Sequence, residues 1–364
     1  MCEGGFSKRR RALKIIHTAD IHLGSKMDSR LGAEEAKERQ GELRATFNRM
    51  IELARREGVG AVLISGDLFD TDRPLKKDKE FFYRIVRAYP EITFFYLRGN
   101  HDIKESYEEN LPNLKTFSSE WKSYELDGAC VSGIELSCEN YSSLYSTLSL
   151  DRSKVNIVML HAEVSDSVAR DKISPAKLQD KGIDYLALGH IHSYSSARLG
   201  GRGEYAYPGC LEGRGFDEIG EKGFILLDTE GGISHRFVPF SSRKIELYKI
   251  DISDCESAYD SYLKARSQIK CSSSDLVRVL LTGECDFDTD GIERELERLL
   301  CADFYFASVK NLSLRKIDTS SFDGELSMRA EFVRGVMNDS SLSDSDKAKV
   351  IDIGLKALYE RAID

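Results

Sequence analysis

The chain has 364 residues, eight cysteines and a net charge of −9. That length predicts two domains, or one large core with an appendage. The excess of acid is unhelpful for a protein that meets DNA, so any phosphate contact must come from locally placed Lys and Arg. The cysteines lack Cys-x-x-Cys spacing, which disfavours a zinc knuckle and predicts a reduced, cytoplasmic protein; no apolar run is long enough to span a bilayer.

Residues 1–12, with the basic run Lys8-Arg9-Arg10-Arg11, read as a disordered leader without the apolar stretch of a signal peptide. Leu13 to Ile16 is a predicted strand that leads to Asp20-Ile21-His22. Leu43, Phe47, Met50, Ile51 and Ala54 then repeat with helical period, and Gly58 and Gly60 close that helix. The strand Ala61 to Ile64 leads to Gly66-Asp67, and a second helix carries Phe82, Ile85 and Val86. Thr93 to Leu97 leads to Gly99-Asn100-His101-Asp102, Asn156 to Leu160 to His161, and Tyr185 to Leu188 to Gly189-His190-Ile191-His192. Strand–helix–strand alternation predicts an α/β core.

Five of the seven histidines thus stand at predicted strand ends, beside carboxylates or an Asn. An open α/β sheet presents side chains to a ligand there. Each motif has a plainer explanation when taken alone. Gly-Asp marks a strand-to-turn junction, Gly-Asn-His-Asp is a feasible turn, and a lone His161 is usually a satisfied core residue. Their conjunction and order predict a metal centre instead. Two divalent cations roughly 3.5–4 Å apart serve phosphoester hydrolysis by positioning the attacking water and neutralising charge on the phosphorus oxygens. Asp67 suits a bridging role, because one carboxylate offers two oxygens. Asp20 and His22 alternate on an extended segment and reach one face, as do His190 and His192. Asn100 adds a neutral oxygen. Mixed N and O donors favour manganese, iron or zinc over calcium.

These stretches resemble the calcineurin-like metallophosphoesterases, and more closely the SbcD-type nucleases that work with SbcC-type coiled-coil ATPases in double-strand-break repair. The resemblance is carried by residues 17–24, Ser65-Gly66-Asp67-Leu68-Phe69-Asp70, Arg98-Gly99-Asn100-His101-Asp102, Leu188-Gly189-His190-Ile191-His192 and Tyr207-Pro208-Gly209. It implies a β-sandwich flanked by helices (α/β/β/α), a smaller α+β capping domain and C-terminal helices. It further implies one cation held by Asp20, His22, Asp67 and His192, and another by Asp67, Asn100, His161 and His190. His101 would be the catalytic histidine; it directly follows a ligand, so its side chain is free to face the substrate and donate a proton. Manganese is the expected metal, with Mg2+, Fe2+ and Zn2+ as alternatives. Asp70, Arg73 and Asp102 are candidates for substrate contact or outer support. Two departures stand out: relatives commonly carry histidine where this chain has Asp70, and many have Ser where it has Cys210. The protein-phosphatase patterns Gly-Asp-x-Val-Asp-Arg-Gly and Gly-Asn-His-Glu are missing.

Basic patches are predicted at Arg73, Lys76 and Lys77, and at Arg198, Arg202 and Arg214. Beyond residue 242 the strands Ile245 to Ile250, Leu276 to Leu281 and Phe304 to Lys310 alternate with helices over 258–269 and 291–300. The expected division is therefore leader 1–12, metallophosphoesterase domain 13–242, capping domain 243–314 and helical partner-binding segment 315–364. In that last segment Met328, Phe332, Val333, Val336 and Met337 form one stripe, and Ile351, Leu355 and Leu358 another, after a Ser343-x-x-Asp346 start. Three functions follow: a DNA exo/endonuclease whose partners are an SbcC-type ATPase, DNA ends and a second copy in a homodimer; a stand-alone phosphodiesterase of nucleotides or small diesters; and a non-catalytic scaffold, disfavoured because every expected ligand is present.

Overall fold

The structure is a computed structural model that describes residues 13–27, 31–104, 110–166, 171–316, 322 and 324–360. The basic leader lies outside them. The chain divides into two units, 1–244 and 245–364.

The first unit contains two six-stranded sheets. In one, the parallel strands Lys14–Thr18, Ala61–Ser65, Thr93–Leu97 and Leu114–Thr116 follow one another, and the antiparallel pair Gly223–Asp228 and Ser234–Pro239 extends it beyond the first strand. In the other, Ala129–Gly133, Val155–His161, Tyr185–Gly189 and Gly203–Tyr207 run parallel, with the antiparallel Lys122–Leu126 and Ser195–Gly200 at its edges. Successive side chains on a strand leave by opposite faces, and here both faces are buried. Ile16, Val62, Ile64, Phe94 and Tyr96 meet Phe47, Met50, Ile51, Phe82 and Val86, which lie on helices Ala33–Arg56 and Lys76–Ala88. Ile15, Leu63, Phe95 and Leu97 meet Val131, Ile157, Met159, Tyr185 and Ala187 of the facing sheet. Each such burial contributes roughly 1.5–3 kcal/mol. The outer face of the second sheet, with Val158, Leu160, Leu186 and Leu188, is covered by Ile173 of the short strand Lys172–Ile173, by Leu178 and by the four-residue helix Leu144–Thr147.

The second unit has three parallel strands, Ile245–Asp251, Leu276–Thr282 and Phe306–Asn311, in chain order. They alternate with helices Ala258–Gln268 and Ile292–Leu300, which pack on each other and on the sheet through Ile292, Leu296 and Leu300. Ser257 caps the first of these helices by accepting from the Asp260 N–H. Helices Met328–Met337 and Asp344–Glu360 pack against one another; the second also touches strand Leu314–Arg315.

Candidate metal centre

The parallel strands Lys14–Thr18 and Ala61–Ser65 keep their pairing past their ends. The Asp20 N–H donates to the Gly66 carbonyl (3.1 Å), and that of His22 to Asp67 (3.0 Å). Asp20 and His22 are thereby set beside Asp67. On the other sheet Gly189 is in register with His161, so His190 follows at the same height. Four of these residues, Asp20, His22, Asp67 and His190, have positive φ (49°, 51°, 49° and 98°), a conformation costing on the order of 1–3 kcal/mol each and concentrated at functional sites. Gly66, at φ 95°, can carry no side chain: a Cβ would overlap the His161 imidazole.

Seven predicted side chains converge. Asp20, His22 and His192 offer ligand atoms within 4.8 Å of one another, and so do Asp20, Asp67 and His161. Asn100 Oδ1 lies 3.0 Å from His161 Nε2 and 3.2 Å from His190 Nδ1. Asp67 stands between the groups. Its Oδ1 accepts from the His101 N–H (2.9 Å), while Oδ2 faces His161 Nε2 (3.3 Å) and His22 Nε2 (3.9 Å).

The arrangement demands positive charge. His22 Nε2 and His192 Nε2 face each other at 3.4 Å; nitrogens sharing one cation at about 2.1 Å lie roughly 3.0–3.4 Å apart for angles between 90° and 109°. His161 Nδ1 donates to the Ser65 carbonyl (2.9 Å), which points an Nε2 lone pair at the oxygens of Asn100 and Asp67. Without a cation, a proton must fill that place. Burial disfavours the charged ring, yet Asp67 carries the His161 pKa to about 9. Asp67 is correspondingly held far below the usual carboxylate range, against its own burial, by His161 and His22. Burial and the neighbouring positive His161 push His190 down. The donor set therefore fits divalent metal.

Surrounding residues divide sharply. Asp102 is buried and accepts from the Gly99 N–H (2.7 Å), the Phe69 N–H (3.2 Å) and the Tyr96 hydroxyl (2.7 Å), fixing the Asn100 turn. Burial and the charge on Asp67 push its pKa up to about 6. His101 is exposed, its ring centre 4.9 Å from that of His22, with Nδ1 3.0 Å from the Asp70 carbonyl. It is thus the backbone of Asp70 that meets His101, while the Asp70 carboxylate turns to His22 and Arg214. Arg73 is exposed, and among the described residues no hydrogen bond or ion pair joins it to the centre. The basic patch expected at Arg198, Arg202 and Arg214 does not form as such. Arg202 is spent on Asp184 and three backbone carbonyls, and Arg214 on Glu218 and Asp70. Glu218 is a residue that sequence reasoning missed. It lies 2.7 Å from His192 Nδ1, and only its Gly-Phe-Asp-Glu loop setting marked it. Cys210 is buried, and both its Sγ and the Lys222 ammonium (2.8 Å) donate to the His192 carbonyl.

Residues 13–194, half of the chain, match the family of calcineurin-like phosphoesterases. The chain belongs to that metallophosphoesterase family and is a hydrolase of phosphoester bonds; the family works with divalent metal ions. Among curated proteins it is 30% identical over 302 residues to the uncharacterized metallophosphoesterase YhaO of Bacillus subtilis, covering 74% of this chain and 72% of that one. It is 22% identical over 370 residues to the DNA double-strand break repair protein Mre11 of Sulfolobus acidocaldarius, covering 94% of each. With an SbcCD nuclease subunit of Staphylococcus epidermidis it shares 25% identity over 287 residues, 66% of this chain and 74% of that one. No helix among the described residues is long and apolar enough to cross a membrane.

Proposed function

We propose that this chain is a two-metal phosphodiesterase that cuts DNA, the nuclease subunit of an SbcCD-like repair complex. One cation would be held by Asp20, His22, Asp67 and His192, the other by Asp67, Asn100, His161 and His190. The position of Asp67 carries the reading: a single carboxylate oxygen faces imidazoles of both groups. Two divalent cations held there, manganese first among them, would supply the Lewis acidity that activates water and neutralises charge on the phosphorus oxygens.

The protein's own residues do the rest. Asn100 and His101 are adjacent on one rigid turn, so a side chain for the cations and one for the substrate leave it together. His101 Nδ1 donates to the Asp70 carbonyl. Its Nε2 is the nitrogen left for the scissile phosphate; as an imidazolium it hydrogen-bonds a phosphate oxygen and passes its proton to the leaving alkoxide. Clefts of about 380 Å³ beside Arg98 and Asp171 and about 300 Å³ beside His101 and Lys104 open onto the centre.

Residues 13–242 form the nuclease domain in this reading. The capping domain, 243–314, restricts the site to particular DNA ends. Segment 315–364 docks the SbcC-type ATPase in the cytoplasm, as one chain of a homodimer. Exposed Leu326, just before the helix pair, and exposed Met328 and Ile353 on it support such docking. A stand-alone phosphodiesterase of small diesters is the second reading, favoured by the net charge of −9. The test is manganese-dependent hydrolysis of duplex ends and of a small chromogenic diester, with and without a coiled-coil ATPase. Cleavage of ends that requires the ATPase supports the nuclease. Turnover of small diesters with none on DNA, ATPase present, overturns it.

A further inference from the structure

His22 and His192 turn the same way, with Nε2 inward and Nδ1 outward against a carboxylate. Glu218 Oε1 stands 2.7 Å from His192 Nδ1, and Asp70 Oδ1 stands 3.1 Å from His22 Nδ1, close but outside hydrogen-bond geometry. One guanidinium joins the two carboxylates. Arg214 Nη1 donates to Asp70 Oδ1 (3.1 Å), and Nη2 (2.7 Å) and Nε (3.0 Å) donate to Glu218 Oε1.

We propose that Arg214 is a positioning residue that clamps Glu218 and Asp70, so that Glu218 orients His192 through a hydrogen bond to Nδ1 and Asp70 sets its negative charge beside His22 Nδ1, with both Nε2 atoms turned toward one cation position. The proposal rests on reading Asp20, His22 and His192 as a metal site.

The contacts around His192 decide the tautomer. Arg214 Nη2 is also 3.0 Å from His192 Nδ1, and a guanidinium can only donate. A lone pair on Nδ1 would accept from Arg214 but would leave Glu218 Oε1 facing that same lone pair at 2.7 Å. A proton on Nδ1 serves Glu218 at a charge-assisted distance, and Arg214 keeps two carboxylates to donate to. Only the second arrangement satisfies all three groups, and it directs the Nε2 lone pair inward. The loop is itself pinned. The Arg214 N–H donates to Glu218 Oε2 (2.7 Å), and Lys222 holds the His192 carbonyl. Arg's planar fork is needed, since an ammonium cannot grip two carboxylates in fixed directions.

The other half of the centre is supported differently. His161 leans on a backbone carbonyl, and His190 Nε2 is 3.6 Å from Asp171, a half-exposed carboxylate. Loss of the clamp must therefore affect one cation position and spare the other.

The experiment is equilibrium binding of Mn2+ alone to the full chain by calorimetry, with the melting temperature in EDTA recorded for each variant. The wild type should bind two ions. R214M and E218Q should weaken one site by about 10–100-fold, the usual effect of losing an outer partner of a ligating histidine, and leave the second unchanged. R214K should stay weakened. If R214M fails to fold, E218Q and D70N carry the test. Folded variants that bind both ions as the wild type does, or lose both equally, overturn the clamp. A wild-type chain that binds no Mn2+ overturns the metal reading, and the clamp with it.

Discussion

Replacing His17 by Gln should flatten the acid sensitivity of the first unit. His17 lies fully buried between the sheets, with Nδ1 2.9 Å from the Tyr185 hydroxyl and Nε2 3.1 Å from the Leu188 carbonyl. Nε2–H must donate to that carbonyl, which leaves Nδ1 to accept from Tyr185, so the fold holds the neutral ring. Burial drives its pKa from 6.5 to about 3. The depressed value gives the sign. Stability is complete above pH 6.5 and is withdrawn as pH falls toward 3, because the unfolded chain takes up a proton that the fold refuses. Each pH unit costs about 1.4 kcal/mol, so pH 5 costs about 2 kcal/mol through this one ring. His161 acts oppositely without metal: with its pKa raised to about 9, its contribution is complete below 6.5 and lost as pH rises. The quantity to compare is therefore the change between pH 8 and pH 5 in the wild type against the same change in H17Q. Urea unfolding in EDTA measures it, read by fluorescence of the single tryptophan, Trp121, which lies in this unit. Glutamine does not titrate, yet it supplies one donor and one acceptor. The wild type should lose about 2 kcal/mol more than H17Q. Equal losses in the two proteins would refute the neutral buried histidine.

H101N should lower turnover of a small diester by about 10²–10⁴-fold while metal content by elemental analysis stays that of the wild type; persistent turnover would remove His101 from its assigned role. G66A places a methyl against His161 at φ 95° and should cost at least about 2 kcal/mol in urea unfolding, together with loss of Mn2+ binding; unchanged binding would show that His161 is not a ligand. Deleting residues 315–364 should abolish co-purification with a coiled-coil ATPase yet leave manganese-dependent hydrolysis of a chromogenic diester intact, and retained co-purification would count against docking through that segment.

The strands that carry the centre were legible because they are buried on both faces. Ala61-Val62-Leu63-Ile64 and Phe94 to Leu97 are unbroken apolar runs ending at Gly and polar residues, the pattern of a strand covered on both faces. The edge strands were not. Lys122–Leu126 and Ser195–Gly200 are largely exposed and polar, so only pairing with a neighbour makes them strands. The helix beginning at Ala33 announced itself through Leu43, Phe47, Met50 and Ile51, all buried as their spacing predicts.

The sequence by itself determined the chemistry. Residue types at strand ends, in fixed order, specify oxygen and nitrogen donors, and the strand before each motif specifies where it must emerge. Only the tertiary structure decided what holds those donors in place. Glu218, Arg214, Lys222 and Cys210 meet His192 through a loop folded back across the sheets, and a contact between distant segments leaves no period or spacing in the chain. The role of Asp70 was decided there too. Its carbonyl and its carboxylate serve different partners, a division set by backbone direction rather than by residue type.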